Sequence, residues 1–486
     1  MNFSNFTAPT FLFLFLPVVL AVYFASPRAL RNGVLLVASL LFYAEGEKIY
    51  TLVMILSIVF NYAMGLLLDG AAAPATRTLL LAMAIAFNLA LLGTFKYADF
   101  ATANLNAALA VIGLSALPLP RMHLPIGISF FTFHAISYVT DVYRRQVRGM
   151  RRFDSFALYI TLFPQLIAGP IIRYKLIAHQ FSDRKVTLEG FAQGVRRFII
   201  GLGKKLIVAD TVAYTAEQIF NAHTHLLTPA VAWLGVLCYT IQIYFDFSGY
   251  SDMAIGMGRM FGFVFPENFN YPYIARSITD FWRRWHMTLS GWFRDYLYIP
   301  LGGNRRRPAR VYLNLLTVFF LCGLWHGATW SFVVWGLFHG TFLILERVGV
   351  GRWLDERAGP LRHLYVLLVV MVGWVFFNAR TLSQAITYLS VMAGLRHGSG
   401  VEYNLSLYLN PALMLALAAG TIGSMPIVPQ VAKSWERLAD RAAEAGNLLL
   451  ELLGRGAALA LLAVIFFGSA MMSAHGSYSP FIYYRF

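Results

Sequence analysis

The chain has 486 residues, of which 58% are hydrophobic and 13% charged, with a mean hydropathy of +0.61. Soluble domains carry about a quarter of their residues as charges, so this composition excludes one and specifies a polytopic membrane protein. The net charge of +16 fits arginine and lysine gathered in cytoplasmic loops against anionic lipid head groups, and it does not imply nucleic acid.

The first apolar run, Phe11 to Phe24, has no basic residue before it and is followed at once by more spans, so it reads as a signal anchor that is not cleaved. Arg28 and Arg31 mark its inner end, and Glu45 and Glu47 lie in an outer loop before a span from Ile49 to Leu68. Arg77 returns the chain to the inside before a span from Leu79 to Phe95. The crossing from Ile126 to Val142 ends in Arg144, Arg145, Arg148, Arg151 and Arg152, the strongest inside mark in the chain. The next apolar piece, Phe156 to Ile172, has basic residues on both flanks and contains Pro164, Gly169 and Pro170, so it is expected to form a re-entrant hairpin covered by protein.

Beyond Lys204 and Lys205 the chain goes out, returns through Trp233 to Phe247, and stays inside to Arg310. Later crossings are expected near Leu364 to Phe377, Leu413 to Ile427 and Ala457 to Phe467, with Lys433, Arg437 and Arg441 inside. The expected fold is an all-α bundle of about 11–12 transmembrane helices with re-entrant and interfacial helices. It forms one domain over 1–486: amino-terminal spans to about 143, a core over about 153–345, and carboxy-terminal spans over about 362–486. Both termini fall outside, so an impermeant maleimide on intact cells should label a cysteine at Ser479 and spare one at Arg306.

The chemistry centres on Gly323-Leu324-Trp325-His326-Gly327 within the apolar run Val311 to Leu345. That run would be about 50 Å long as a helix, too long for one straight crossing, and Gly323 and Gly327 mark where it can break. An ionisable side chain at bilayer depth is costly and marks a reaction centre or pathway, which singles out His326; His339, thirteen residues on, is the weaker partner. In the inner section, Ser277 and Asp280 form a capping pattern. Ile278, Trp282, Trp285, Leu289, Trp292 and Tyr296 then recur as the stripe of one amphipathic interfacial helix, with Arg283, Arg284 and His286 off it. The arginines either anchor on head groups or attract a phosphate-bearing donor. Asp246 and Asp252 either pair with these two arginines or orient an imidazole. Of the two cysteines, Cys238 and Cys322, neither shows metal-ligand or disulfide spacing, and no metal site is expected. Cys322, four residues before His326, is a small buried residue or the nucleophile of a thiol-imidazole pair.

Four stretches in order carry a resemblance: Phe-Pro-Gln-Leu-Ile-Ala-Gly-Pro at 163–170, Tyr-Phe-Asp-Phe-Ser-Gly-Tyr-Ser-Asp-Met at 244–253, Phe-Trp-Arg-Arg-Trp-His at 281–286 and Leu-Trp-His-Gly at 324–327. Together they resemble the membrane-bound O-acyltransferase family, in its alginate O-acetyltransferase branch, over nearly the whole chain. The resemblance implies that His326 is catalytic and that His286 lines the donor side of a central funnel. Arg283, Arg284 and Trp285 are then the expected donor-binding residues, with Asp246, Asp252, Trp325 and Asn314 in support. It implies acetyl-CoA or an acyl carrier thioester as donor substrate and no permanently bound cofactor. It also implies a bacterial inner-membrane location and a periplasmic esterase-like partner that completes transfer to an exported polysaccharide such as alginate.

The chemistry agrees: a hydroxyl is a poor nucleophile at neutral pH, and a positioned imidazole can take its proton as it attacks a thioester. Asn314, Trp325 and His286 are alternative candidates for the oxyanion donor, and geometry decides among them. The rival readings are D-alanyl-type transfer from a carrier protein, a proton-coupled transporter of envelope precursors, and a scaffold without chemistry of its own.

Overall fold

The computed structural model describes residues 5–475 except 168, 358, 401–402 and 445–447. The expected outer tail, with Ser479, lies outside the described residues, as does Ala168 of the first motif. Among the described residues all regular structure is helical, as the composition requires. Among the described residues seven helices are long and apolar enough to cross a membrane, or eight if Pro411–Gly423 and Ile427–Arg441, bent by 72°, form one broken span.

The sequence suggested more crossings because apolarity alone does not separate a span from a short buried helix. Phe11–Ala25 is apolar but short, and Ile128–Tyr143 has 16 residues, nearly all buried in protein. The stretch Arg28–Gly70 breaks at Lys48 (φ 48°, ψ −118°), just after the acids expected in an outer loop.

The piece between the two basic flanks has the irregular form expected of it. Phe153–Thr161 stops before Phe163–Leu166, and the backbone from Gly169 to Ile172 is unwound and buried. Unpaired amides at such depth are costly, and side chains from three neighbouring elements supply the acceptors. Phe163 N–H donates to Ser39 Oγ (3.1 Å), Ile171 N–H to Thr288 Oγ1 (3.0 Å) and Ile172 N–H to His134 Nε2 (3.2 Å).

The centre of the bundle is the 32-residue helix Pro229–Met260, buried along most of its length. It packs backbone to backbone on Leu188–Gly203. A Cβ on Gly201 would lie 2.6 Å from the Gly249 carbonyl and one on Gly249 2.7 Å from the Gly201 carbonyl, and Gly194 and Gly256 repeat this approach at 2.6 Å. Small residues at one register let two helices meet this closely. Beside that contact the central helix carries Asp246 and Asp252 toward Arg197, Lys204 and Lys205.

Candidate active site

The run from Val311 to Leu345 is a helical hairpin, Pro308–His326 and Trp330–Leu345. It breaks at Gly327, in extended backbone (φ −167°, ψ 150°), and not at Gly323. Gly323 instead serves close packing, because a Cβ there would collide with the Phe332 carbonyl of the second helix, as one on Gly336 would with the Phe319 carbonyl of the first. His326 is therefore the last residue of its helix. Its ring, buried, sits among Trp325 (4.9 Å between centroids), Trp335 (4.9 Å) and Phe377 (5.1 Å).

The expected single interfacial helix from Ile278 to Tyr296 is corrected: it is broken in two. Ile278–Arg284 ends, Trp285 is extended, His286 takes the left-handed conformation (φ 43°, ψ 53°), and Met287–Phe293 begins anew. The loop after Pro266 holds the break open by backbone pairing, Asn270 N–H to the Arg284 carbonyl and Met287 N–H to the Asn268 carbonyl, both at 2.9 Å. Nor does the tryptophan stripe lie on a surface. Trp282 packs on Phe319 and His339, Trp285 on Phe281 and Trp374, and Trp292 stacks on Phe133 (3.7 Å, 6°). A three- and four-residue stripe shows that a face is apolar without showing whether lipid or protein covers it. The break turns His286 inward, to 6.5 Å from His326 between ring centroids and 4.7 Å from the Phe247 ring.

The other expected residues divide. Trp325 stands at the site, stacked on Phe133 at 5.4 Å. Its indole N–H, like that of Trp335, is buried with no hydrogen-bond acceptor among the described residues. Asn314 is twelve residues before His326 on one helix, about 18 Å along the axis, and donates to the Leu301 carbonyl (3.3 Å); it is too distant to serve as an oxyanion donor. Asp246 and Asp252 pair with neither Arg283 nor Arg284. Asp246 lies 3.0 Å from Lys205, which also holds Asp210 at 2.6 Å, all three buried. Asp252 accepts from Arg197 (2.8 Å) and Lys204 (2.7 Å). Arg283 is exposed, Arg284 pairs with Asp280 (2.9 Å), and Trp285 is inside the aromatic core. His339 is packed between Trp282 and Trp335, with Gly373 against its Nε2, away from the imidazole pair.

Residues 128–377 match the membrane-bound O-acyltransferase family. That stretch contains both imidazoles, the re-entrant loop and the broken helix, and relatives extend the likeness to the rest of the chain. A probable alginate O-acetylase of Pseudomonas putida is 41% identical over 99% of this chain and all of its own length. The chain belongs to the membrane-bound O-acyltransferase family. A peptidoglycan O-acetyltransferase of Helicobacter pylori is 39% identical over 80% of each chain. A teichoic acid D-alanyltransferase of Bacillus subtilis is 29% identical over 46% of this chain and 61% of its own. The protein is thus an acyltransferase by family and a multi-pass protein of the bacterial inner membrane.

Within this family member three cations near the site escaped the sequence reading. Arg197 bridges Asp252 and Glu267, donating to the latter at 2.5 and 2.6 Å. Lys204 shares Asp252 with it. Lys96 reaches the end of the His326 helix from the amino-terminal spans. A signal for Lys96 was present: the span from Leu79 runs outward in the expected topology, so a lysine at its far end goes against the inside bias of basic residues.

Cys322 lies buried in the His326 helix, one turn before the imidazole. A small buried residue accounts for it, so Cys322→Ala should keep transfer within about twofold of wild type. A large loss at normal membrane abundance would restore the covalent route.

Proposed function

We propose that the protein is an O-acetyltransferase that takes an acetyl group from a thioester donor at the inner face and delivers it, at His326, toward an exported polysaccharide of the alginate type. The observation that carries this reading is the convergence of two buried imidazoles, each set at a helix break, at 6.5 Å inside an aromatic shell. Two such groups reach one reacting centre between them. The relatives named alginate O-acetylase, 41–47% identical, support the acceptor class, and the peptidoglycan O-acetyltransferase supports acetyl as the group transferred. The D-alanyltransferase likeness is weaker and shorter.

In the proposed step His326, as neutral imidazole, removes the proton of the acceptor hydroxyl while its oxygen attacks the thioester carbonyl. A C–O bond forms, the C–S bond breaks, and the imidazolium returns its proton to the departing thiolate. Of the candidate oxyanion donors Trp325 keeps the role, joined by Trp335 in place of Asn314: both indole N–H groups flank His326 and both need an acceptor. His286 lies on the donor side, where it positions the thioester.

The donor route in this reading is a cavity of about 800 Å³ whose lining includes Arg197, Lys204, Asp252 and Glu267 together with Tyr244, Asn268 and Met287. Of these, Met287 directly follows His286. Guanidinium and ammonium groups suit the phosphates of a carrier such as CoA. Arg283 and Arg284 do not line this space, and we assign the donor cations to Arg197 and Lys204 in their place. A periplasmic esterase-like partner would complete transfer to the polymer.

Steady-state assays with purified protein and acetyl-CoA test the assignment. Arg197→Ala should raise the donor KM about tenfold or more, as loss of a charge-assisted contact implies, whereas Arg283→Ala should change it by less than about twofold. The opposite ranking would return the donor site to the broken helix, and intact acetyl-CoA with wild-type protein would favour a transporter or scaffold.

A further inference from the structure

Lys96 lies in the π-helical turn Gly93–Tyr97, between helices Pro74–Leu92 and Ala98–Val111, outside the residues that match the family. Such turns within helices recur at functional sites. Its Nζ donates to the Trp325 carbonyl and to Ser129 Oγ (3.3 Å), and it reaches the His326 carbonyl at 3.5 Å. It also stands 5.8 Å from the centre of the Trp325 ring. The adjacent Tyr97 hydroxyl donates to the Leu324 carbonyl at 2.8 Å.

These contacts answer a specific need. A helix leaves the carbonyls of its last turn without amide partners. Here Gly327 N–H closes on the Gly323 carbonyl at 3.2 Å, and the next three carbonyls, 324 to 326, are met by Tyr97 and Lys96. Three neutral oxygens around one Nζ match the three N–H groups of an ammonium. A cation is also the charge that a helix carboxy terminus favours. Burying it is costly, and capping this helix by a neutral donor would have met the same carbonyls with less penalty.

We propose that Lys96 is a positioning residue for transfer at His326: from the amino-terminal spans it pins the carbonyl end of the His326 helix and fixes the direction of the imidazole toward His286. This rests on the reading of His326 as the base. In Lys96→Met, turnover of acetyl-CoA by purified protein should fall about 10- to 100-fold in kcat, the cost of misplacing a catalytic group by about an ångström. Donor KM should stay within about twofold, because the donor cations are elsewhere. Lys96→Gln, one bond shorter and with two N–H groups where three oxygens surround Nζ, carries the same expectation and decides the matter if the methionine variant does not accumulate. Either variant with kcat within about twofold of wild type, or with the loss confined to KM, overturns the proposal.

A second arm does not depend on acyl transfer. Carbethoxylation of histidines by diethyl pyrocarbonate, mapped by mass spectrometry, should reach His326 about tenfold faster in the variant and leave His134 unchanged. Equal rates at His326 would overturn the proposal. If wild-type protein does not turn over acetyl-CoA, the acyl-transfer reading fails while this arm still decides the role of Lys96.

Discussion

Replacing His326 by alanine is expected to lower acyl transfer by about a hundred- to ten-thousandfold, the usual contribution of a positioned general base, with membrane abundance and melting close to wild type. The side chain terminates a helix and is enclosed by Trp325, Trp335 and Phe377; without it Trp335 and Phe377 stay packed on each other and Trp325 on Phe133. Nothing in the topology depends on the imidazole. His286→Ala should be milder, about tenfold, and should show mainly in the donor requirement if His286 positions the thioester. Equal losses in the two variants at normal donor KM would exchange or merge their roles, and full activity in His326→Ala would remove the catalytic assignment.

Lys205→Met is expected to cost about 3–5 kcal/mol, enough to deplete the protein from membranes, because it leaves Asp210 and Asp246 buried beside each other without their shared cation. Acyl transfer per cell would fall with abundance, while the surviving molecules would keep their turnover. Converting Lys205, Asp210 and Asp246 together to apolar residues of similar size should recover much of the loss, since the pairings then vanish on both sides. Wild-type abundance and melting in Lys205→Met would show that the triad is not a structural staple, and the acid at 246 would have to be reconsidered as part of the reaction.

Membrane embedding, the helical class and the placement of His326 at a break in its apolar run were legible in the sequence because each has a one-dimensional signature: mean hydropathy, basic flanks, and an ionisable residue between glycines inside an apolar run. The re-entrant segment was legible for the same reason, through Pro164, Gly169 and Pro170 between two basic groups. The break at His286 was not. Its cause is tertiary, the backbone of Asn268 and Asn270 pairing with Met287 and Arg284, while the tryptophan spacing over 282–292 continues through it undisturbed. The partners of Asp246 and Asp252 were missed because they come from residues 197–205, some fifty positions earlier, brought alongside by glycines that look unremarkable in the sequence. Lys96 was legible only as a lysine at an outer span end, and the fold alone places it beside a helix end 230 residues later.

The central claim is that an acetyl group passes from a donor on one face, through His326, to the other face while its carrier stays behind. Proteoliposomes with acetyl-labelled CoA added outside and a soluble oligouronate enclosed test it most directly, because CoA does not cross the bilayer. The account predicts labelled acetate or acetylated oligouronate in the lumen, free CoA outside, and neither in vesicles bearing His326→Ala. Label released only on the donor side, or lumenal label undiminished in His326→Ala, would contradict it.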